Sequence, residues 1–358
     1  MTNSGLRPRW ASAPGETIDS ILRERNLDPN QVATHLQMSS NEFADLLRGK
    51  KAITVSLAGQ LSATLGATTE FWMTREAQYI DDVHRVEADK WSSTLPITQM
   101  AEFGWIDPPI DWHDRIEQCL GFFRVEDVDS WKARYRREVE TAHFRRSSTY
   151  ALKSPATAVW FRACERAVED NNLPPFDINA FQSILVEIKK LTRVKDPRIF
   201  IPKLFKLCAS VGVALAVAPT PGGCPASGAA RWFRTNPLIQ LSARHLSDDH
   251  FWFSFFHEAG HVVLHELSNP FIDLLEDESA DQYEHEANEF ATTALIGSQP
   301  VPPRSRWTTR ALVETAQRAG VSPGIVVGQL QHQGSLPPNR FNRLKRRYTW
   351  SGSTLETR

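Results

Sequence analysis

The sequence predicts a multidomain protein: an all-α bundle at the N terminus, a helical middle region and an α+β domain at the C terminus. Its 358 residues exceed the usual size of one domain, so two or three domains are expected. Short amphipathic helical patterns with capping residues follow one another up to about residue 88. From residue 176 onward, apolar runs typical of strands appear among the helical patterns.

Charge and cysteine content narrow the classes of function. The chain carries 41 Lys and Arg against 42 Asp and Glu, so no overall field draws it to nucleic acid or to an anionic membrane. Its four cysteines are scattered without a CxxC pair, which is typical of a reducing compartment. The N-terminal residues lack the apolar core of a signal peptide, and no uncharged apolar run reaches the roughly 18–20 residues of a membrane span. We therefore expect a cytoplasmic protein without membrane contact.

Five short helices are predicted between residues 16 and 88. Asn30 is expected to cap the second helix, because its side chain can accept a hydrogen bond from a free backbone amide. Ser39 or Ser40 is expected to cap the third, which stops at Gly49. Residues 54–65 and a further helix complete the bundle. Two short helices joined by a tight turn in such a bundle form the helix-turn-helix pattern.

The order of motifs in this part resembles the Xre-type regulators, particularly the HigA-like antitoxins. The blocks that carry the resemblance are residues 14–16 (PGE), 46–54 (LLRGKKAIT) and 65–72 (LGATTEFW). The resemblance implies an Xre/HigA-like helix-turn-helix domain over residues 14–88, which is compatible with DNA as a partner.

If this domain binds DNA, residues 40–48 form the recognition helix in the major groove. Ser40 and Asn41 are then expected to face base edges, and Ser39, Arg48 and Lys50 to lie near the DNA backbone. Residues 1–90, however, carry ten basic and twelve acidic side chains. A bundle that serves dimerisation or substrate docking is therefore an equal alternative.

The middle of the chain, residues 89–175, is predicted to be a helical linker region. It contains no recognisable chemical motif, and the Asn- and Pro-rich stretch at 171–175 marks its expected end. Helical patterns in this region lie at 112–120, 125–138 and 155–171. Beyond it, helices are predicted at 178–191 and 199–210, and short strands at 213–217, 229–234 and 238–241.

His257, Glu258 and His261 form an HExxH sequence inside a strongly apolar segment. On an α-helix, residues four apart differ by only about 40° around the axis, so both imidazoles can face one ion. Glu258 is offset by about 100° from His257, so its carboxylate can act as a general base beside the ion rather than as a ligand. The alternative is a buried helix with two structural histidines.

A second block offers a third ligand. A catalytic zinc site takes three protein ligands and keeps one position open. Residues 283–291 (YEHEANEFA) have helical character, and Glu284 and Asn288 share one face of that helix. A carboxylate ligand supported by a polar side chain one turn later is a common arrangement around zinc.

Residues 176–345 resemble the ImmA/IrrE metallopeptidases, whose HExxH is followed by an ExEANxFA block. Here the two blocks read HEAGH at 257–261 and EHEANEFA at 284–291, with a departure to Ile296-Gly297 at the helix exit. The resemblance implies an α+β zincin-like domain over residues 176–348. It implies Zn²⁺ bound by His257, His261 and Glu284, with Glu258 as the catalytic base. Glu286 remains the alternative ligand, and manganese or cobalt the alternative ions.

Characterised members of that family cleave Xre-type repressors. The resemblance therefore implies a zinc-dependent endopeptidase that acts on a cytoplasmic regulator, an Xre-type repressor or antitoxin, in stress response or mobile-element control. The strand at 238–241 is expected to be the edge strand that holds an extended substrate. His332 is a candidate helper residue, and His265 is expected to be a helix-end or supporting residue. The alternative is a DNA-binding regulator or antitoxin whose peptidase-like domain acts mainly as a sensor; a homodimer is compatible with either.

Overall fold

The computed structural model describes residues 9–143, 155–265, 277–297 and 307–358. These residues are mostly helical, with small sheets toward the C terminus, which is compatible with the multidomain prediction. The chain divides into two compact units: Met1–Thr94, Ile110–Leu120 and Glu126–Val128 in the first, and Leu95–Pro109, Gly121–Val125 and Asp129–Arg358 in the second. Within the described ranges, no helix combines the length and the apolar character needed to cross a bilayer.

The first unit is built on five consecutive helices. They are α1 (Pro14–Glu24), α2 (Pro29–His35), α3 (Ser40–Leu47), α4 (Val55–Leu65) and α5 (Thr69–Ser93). Apolar side chains from all five, among them Ile18, Leu46 and Trp72, are buried together in one core. The helical spacing of apolar residues therefore accounts for the bundle.

Polar side chains cap the starts of α2 to α5. The amide of Glu42 donates to the Ser39 hydroxyl, and the Glu42 carboxylate accepts from the Ser39 amide, which forms a capping box at the start of α3. At α2 the expectation for Asn30 is wrong, because the carboxylate of Asp28 caps the helix and accepts from the Asn30 amide. Pro29, which lacks an N–H, occupies the first helical position and so moves the helix start before Asn30.

The middle of the chain contributes α6 (Ile97–Glu102), α7 (Trp112–Phe123), α8 (Val128–His143) and α9 (Pro155–Val168). The second half continues with α10 (Ile178–Leu191), α11 (Pro197–Ser210), β1 (Ala214–Val217), β2 (Gly228–Phe233), β3 (Asn236–Leu241), α12 (Asp248–Leu264), α13 (Asp277–Ile296), α14 (Thr309–Ala319) and α15 (Pro323–His332). A short 3-10 helix (Asn342–Leu344) and the hairpin of β4 (Tyr348–Ser351) and β5 (Thr354–Thr357) end the chain. The three strands β1 to β3 lie within two residues of the predicted strands.

The three-stranded sheet has the order β1-β3-β2. β3 pairs in parallel with β1 and antiparallel with β2, so it is hydrogen-bonded on both sides. The expectation that residues 238–241 form the edge strand is therefore wrong. The tight turn after Phe233 folds β3 back against β2 as a hairpin, and β1 then pairs with the other side of β3. Among the strands in the described residues, β1 and β2 are the edges of this sheet.

Different helices cover the two faces of this sheet. On one face, Phe255 of α12 is buried with Leu215 and Ile239 in the main core of the second unit. On the other face, Trp160 of α9 is buried with Ala229 and Leu238, and its indole N–H donates to the carbonyl of Ala218 (3.1 Å). The predicted division at residues 14–88, 89–175 and 176–348 stays a prediction, but the packing makes α9 part of the unit that contains the sheet.

Candidate metal centre

α12 carries the HEAGH sequence in its second half. Phe251, Phe255 and Ala259 bury one side of the helix in the core, which fixes its rotation about its own axis. His257 and His261, one turn apart, consequently project together on another side. Their Nε2 atoms lie 3.1 Å apart.

α13 brings a carboxylate to the same point. Glu284 Oε2 lies 3.3 Å from His257 Nε2, and Glu284 Oε1 lies 3.4 Å from His261 Nε2. The glycine inside HEAGH allows the two helices to approach this closely. A Cβ on Gly260 would lie 3.2 Å from the Cα of Ala287 and 3.2 Å from the Cβ of Phe290.

The three side chains fit a tetrahedral metal ion. With bonds of about 2.0–2.1 Å, the edges of a zinc tetrahedron are roughly 3.3–3.4 Å long. The 3.1 Å separation of the two imidazole Nε2 atoms is close to such an edge, and the Glu284 carboxylate places one oxygen 3.3 Å from His257 Nε2 and the other 3.4 Å from His261 Nε2. Two imidazole nitrogens and a carboxylate also form a donor set that suits zinc.

A different partner lies at the far nitrogen of each imidazole. His257 Nδ1 lies 3.0 Å from Asn288 Oδ1, one turn after Glu284 on α13. Because that oxygen can only accept, Nδ1 of His257 carries the proton and its Nε2 lone pair faces the cluster. His261 Nδ1 lies 3.0 Å from His265 Nδ1, and His265 Nε2 lies 3.0 Å from Glu286 Oε2.

The cluster is electrostatically coupled. Burial opposes the ionisation of Glu284, but hydrogen bonds with His257 and His261 outweigh it and lower the pKa of Glu284 to about 2. Burial by itself would lower the pKa of His257, whereas the hydrogen bond with Glu284 and the charge of Glu258 raise it above its ordinary value. The site thus favours a positive charge between these groups, and a divalent cation would supply that charge in place of a proton.

Glu258 is buried beside the first residue of β2. Its side chain is only 2% exposed. A Cβ on Gly228 would stand 2.6 Å from Glu258 Oε1, well inside contact distance, so only a glycine leaves room for this carboxylate. The proposed general base therefore borders an edge strand, and sequence reasoning missed the glycine that makes the approach possible.

Two further sequence candidates lie outside the three-residue cluster. Glu286 contacts His265 instead of the cluster. The ring of His332 lies against Phe253 (centroids 6.3 Å apart), and Phe253 lies against His257 (6.2 Å). His285, next to Glu284 in sequence, is exposed and pairs with Glu289 (3.4 Å).

The DNA-contact candidates all lie at or beside α3. Each of them is exposed: Ser39, Ser40, Asn41, Arg48 and Lys50. Ser39 also serves the capping box, and Arg48 lies 3.3 Å from Asp45. Gln37, in the turn between α2 and α3, adopts a left-handed conformation with φ 56°, where a glycine is common in such turns. Contact between these residues and DNA stays a prediction.

Comparison with known proteins gives a match to a family model. Residues 217–330 match the family model Peptidase_M78, described as the IrrE N-terminal-like domain. The match spans the HEAGH sequence and Glu284, and it supports an ImmA/IrrE-type domain and the metallopeptidase class. No curated protein and no solved structure matches the chain.

Proposed function

We propose that this chain is a zinc-dependent endopeptidase in which His257, His261 and Glu284 hold the metal and Glu258 is the general base. The observation that carries the proposal is the convergence of His257 and His261 of α12 with Glu284 of α13, whose polar atoms lie 3.1–3.4 Å apart, next to Glu258 in the sequence of α12. The family match over residues 217–330 supports the same class of enzyme.

The metal, Glu258 and Asn288 would have different roles in the reaction. Zinc bound at this site would supply Lewis-acid chemistry, which lowers the pKa of a water and polarises a peptide carbonyl. Glu258 takes the proton of the attacking water and then delivers it to the amine of the departing peptide. Asn288 holds the ring of His257 through Nδ1 and so keeps Nε2 directed at the cluster.

The proposed substrate is an extended segment of another protein. β2 is an edge strand, and its first residue, Gly228, abuts Glu258. A peptide that adds to an edge strand pairs through its main chain, so a segment of varied sequence can pass beside the base. That the substrate is a regulator, an Xre-type repressor or antitoxin, is a proposal that rests on the resemblance to the ImmA/IrrE family.

Metal content of the purified full-length protein tests the centre. We expect about one zinc per chain in the wild type, loss of zinc in Glu284→Ala, and retention in Glu258→Gln, since Glu258 is not a ligand. Glu289→Ala, which removes an exposed glutamate from the same helix, is the matched control and should retain zinc. A wild type that contains no divalent metal and cannot be loaded with zinc contradicts the proposal.

Proteolysis is tested separately. A cell lysate is incubated with zinc-loaded wild type or with zinc-loaded Glu258→Gln, and newly formed N termini are compared by mass spectrometry. Loss of a general base should slow cleavage by about 10²–10⁴-fold, so specific cuts should appear only with the wild type. If both samples give the same termini although both contain zinc, the chain is a metal-binding protein and the peptidase proposal is wrong.

A further inference from the structure

Two polar residues beyond the proposed ligands form a continuous path to His261. His265 is the first residue after α12, and its backbone has left the helical conformation (φ −113°, ψ 135°). Its imidazole is 9% exposed, with one nitrogen on His261 Nδ1 and the other on Glu286 Oε2, each at 3.0 Å. The ring of Tyr283 lies beside it, with centroids 4.4 Å apart.

Glu286, the acceptor at the outer end of this path, determines which nitrogen of each histidine carries a proton. A carboxylate oxygen only accepts hydrogen bonds, so Nε2 of His265 carries a proton and donates the hydrogen bond to Glu286. The other nitrogen of a neutral His265, Nδ1, is then an acceptor. It accepts from His261, whose Nδ1 must therefore carry the proton. The lone pair of His261 is left on Nε2, the atom that faces Glu284 and His257.

We propose that Glu286 and His265 form a hydrogen-bond relay that fixes His261 in its metal-binding tautomer. They are positioning residues, since neither lies among the three convergent ligand atoms. The inference rests on the proposed metal centre and adds a role that its ligand set does not require. It also gives Glu286 a function different from that of an alternative ligand.

The second oxygen of Glu286 supports this role. The Gln282 amide donates to Glu286 Oε1 at 2.8 Å, while Oε2 receives the His265 N–H. Both oxygens of the carboxylate are thus held by protein donors. A charged acceptor at the end of the path makes the hydrogen bonds stronger than neutral ones. His257, by contrast, is oriented by the neutral amide of Asn288.

Zinc affinity of full-length variants, measured by competition with a chromophoric chelator, tests the relay. We expect Glu286→Leu to bind zinc about 10–100-fold more weakly than wild type, the usual effect of losing a partner of a metal ligand. Glu289→Leu is the matched control. Glu289, like Glu286, lies on α13 and pairs with a histidine, but its partner His285 is exposed and lies outside the path. Its affinity should stay within about twofold of wild type.

Conservative variants separate positioning from general packing. Glu286→Gln keeps an oxygen that can accept from His265 and should recover most of the affinity lost in Glu286→Leu. In His265→Asn, the side-chain oxygen can stand near the former Nδ1 and accept from His261, whereas His265→Leu offers no acceptor. Recovery in Gln and Asn but not in Leu supports the relay; equal affinity of His265→Asn and His265→Leu contradicts the role of His265.

Nitrogen NMR of the zinc-loaded wild type determines the tautomers of His261 and His265 without any substitution. The relay requires a proton on Nδ1 of His261 and on Nε2 of His265. A proton on Nδ1 of His265 overturns the proposal, whatever the variants show. A wild type that binds no zinc refutes the proposed metal centre itself, whereas a wild type that binds zinc, with Glu286→Leu equal to Glu289→Leu, refutes the relay alone.

Discussion

At the scale of single residues, Gly228 and Glu258 depend on each other. The strand that Gly228 opens runs so close to Glu258 that a methyl group on Gly228 would overlap both Oε1 (2.6 Å) and Cγ (2.9 Å) of that side chain. The φ of Gly228 is not positive, so the backbone conformation would accept an alanine. The steric clash with Glu258 is what excludes it.

We therefore predict that Gly228→Ala displaces Glu258 and abolishes cleavage while zinc remains bound. The three atoms nearest to the new methyl group all belong to Glu258 and none to a proposed ligand. Overpacking of this kind costs about 1–3 kcal/mol of unfolding free energy. Zinc content, cleavage rate and chemical denaturation of the same sample measure the three effects.

A double mutant identifies the cause. A Glu258→Ala background removes the three atoms nearest to the methyl group of Gly228→Ala, so the cost of that methyl group in unfolding free energy should largely disappear. Gly121→Ala is the control, since no atom lies within 4 Å of the carbon it adds. If Gly228→Ala lowers the unfolding free energy equally in both backgrounds, its cost does not come from the contact with Glu258.

Local spacing predicts one part of the site, the family resemblance adds Glu284, and the structure supplies the packing around them. His257 and His261 are one helical turn apart, so their convergence follows from helix geometry. The choice between Glu284 and Glu286 depends on how α13 packs on α12, which no single-helix pattern contains. His265 lies beyond the last helical residue, so periodicity could not direct its ring toward Glu286.

At the scale of elements, the start of α3 shows how a side chain outside a helix stabilises it. The Ser39 hydroxyl accepts from the Glu42 amide, and the Glu42 carboxylate is held by the Ser39 amide and by Lys51. These contacts satisfy backbone donors that the first turn of a helix leaves free.

We predict that Ser39→Ala lowers the unfolding free energy of the first unit by about 0.5–2 kcal/mol, the usual cost of losing such a cap. Ser40→Ala is the matched control, because Ser40 is also exposed and is the first residue of the helix rather than its cap. Denaturant titration followed by circular dichroism gives both values. Equal losses would show that the capping box contributes little.

Strand order is the element-scale feature that the sequence does not reveal. Three apolar runs predict three strands, and their positions agree with the structure to within two residues. The apolar runs do not show, however, which strands pair with each other in the sheet. A sequential reading places the last strand at the edge, whereas the β2–β3 hairpin leaves β3 between β2 and β1.

At the scale of the whole molecule, each compact unit has its own apolar core. The core around Ile18 and Trp72 belongs to the first unit, and the core around Phe255 to the second. All three proposed zinc ligands belong to the second unit.

We therefore predict that zinc raises the unfolding temperature of the second unit alone. A ligand at about 100 times its dissociation constant adds about 2.7 kcal/mol to the unit that binds it. Scanning calorimetry with zinc and with a chelator should show one transition that moves and one that does not. In Glu284→Ala neither should move; a joint shift of both transitions in wild type would show that the units unfold together.

The position of α9 has a practical consequence for expressing the peptidase part alone. A fragment that begins at residue 176, where the composition changes, would lose Trp160 and with it the cover over Ala229 and Leu238. It would also leave Arg231 of β2 without Glu165, which lies 2.8 Å away and is 5% exposed. An uncovered apolar sheet face favours aggregation. Such a fragment should be insoluble, and one that retains α9 should not.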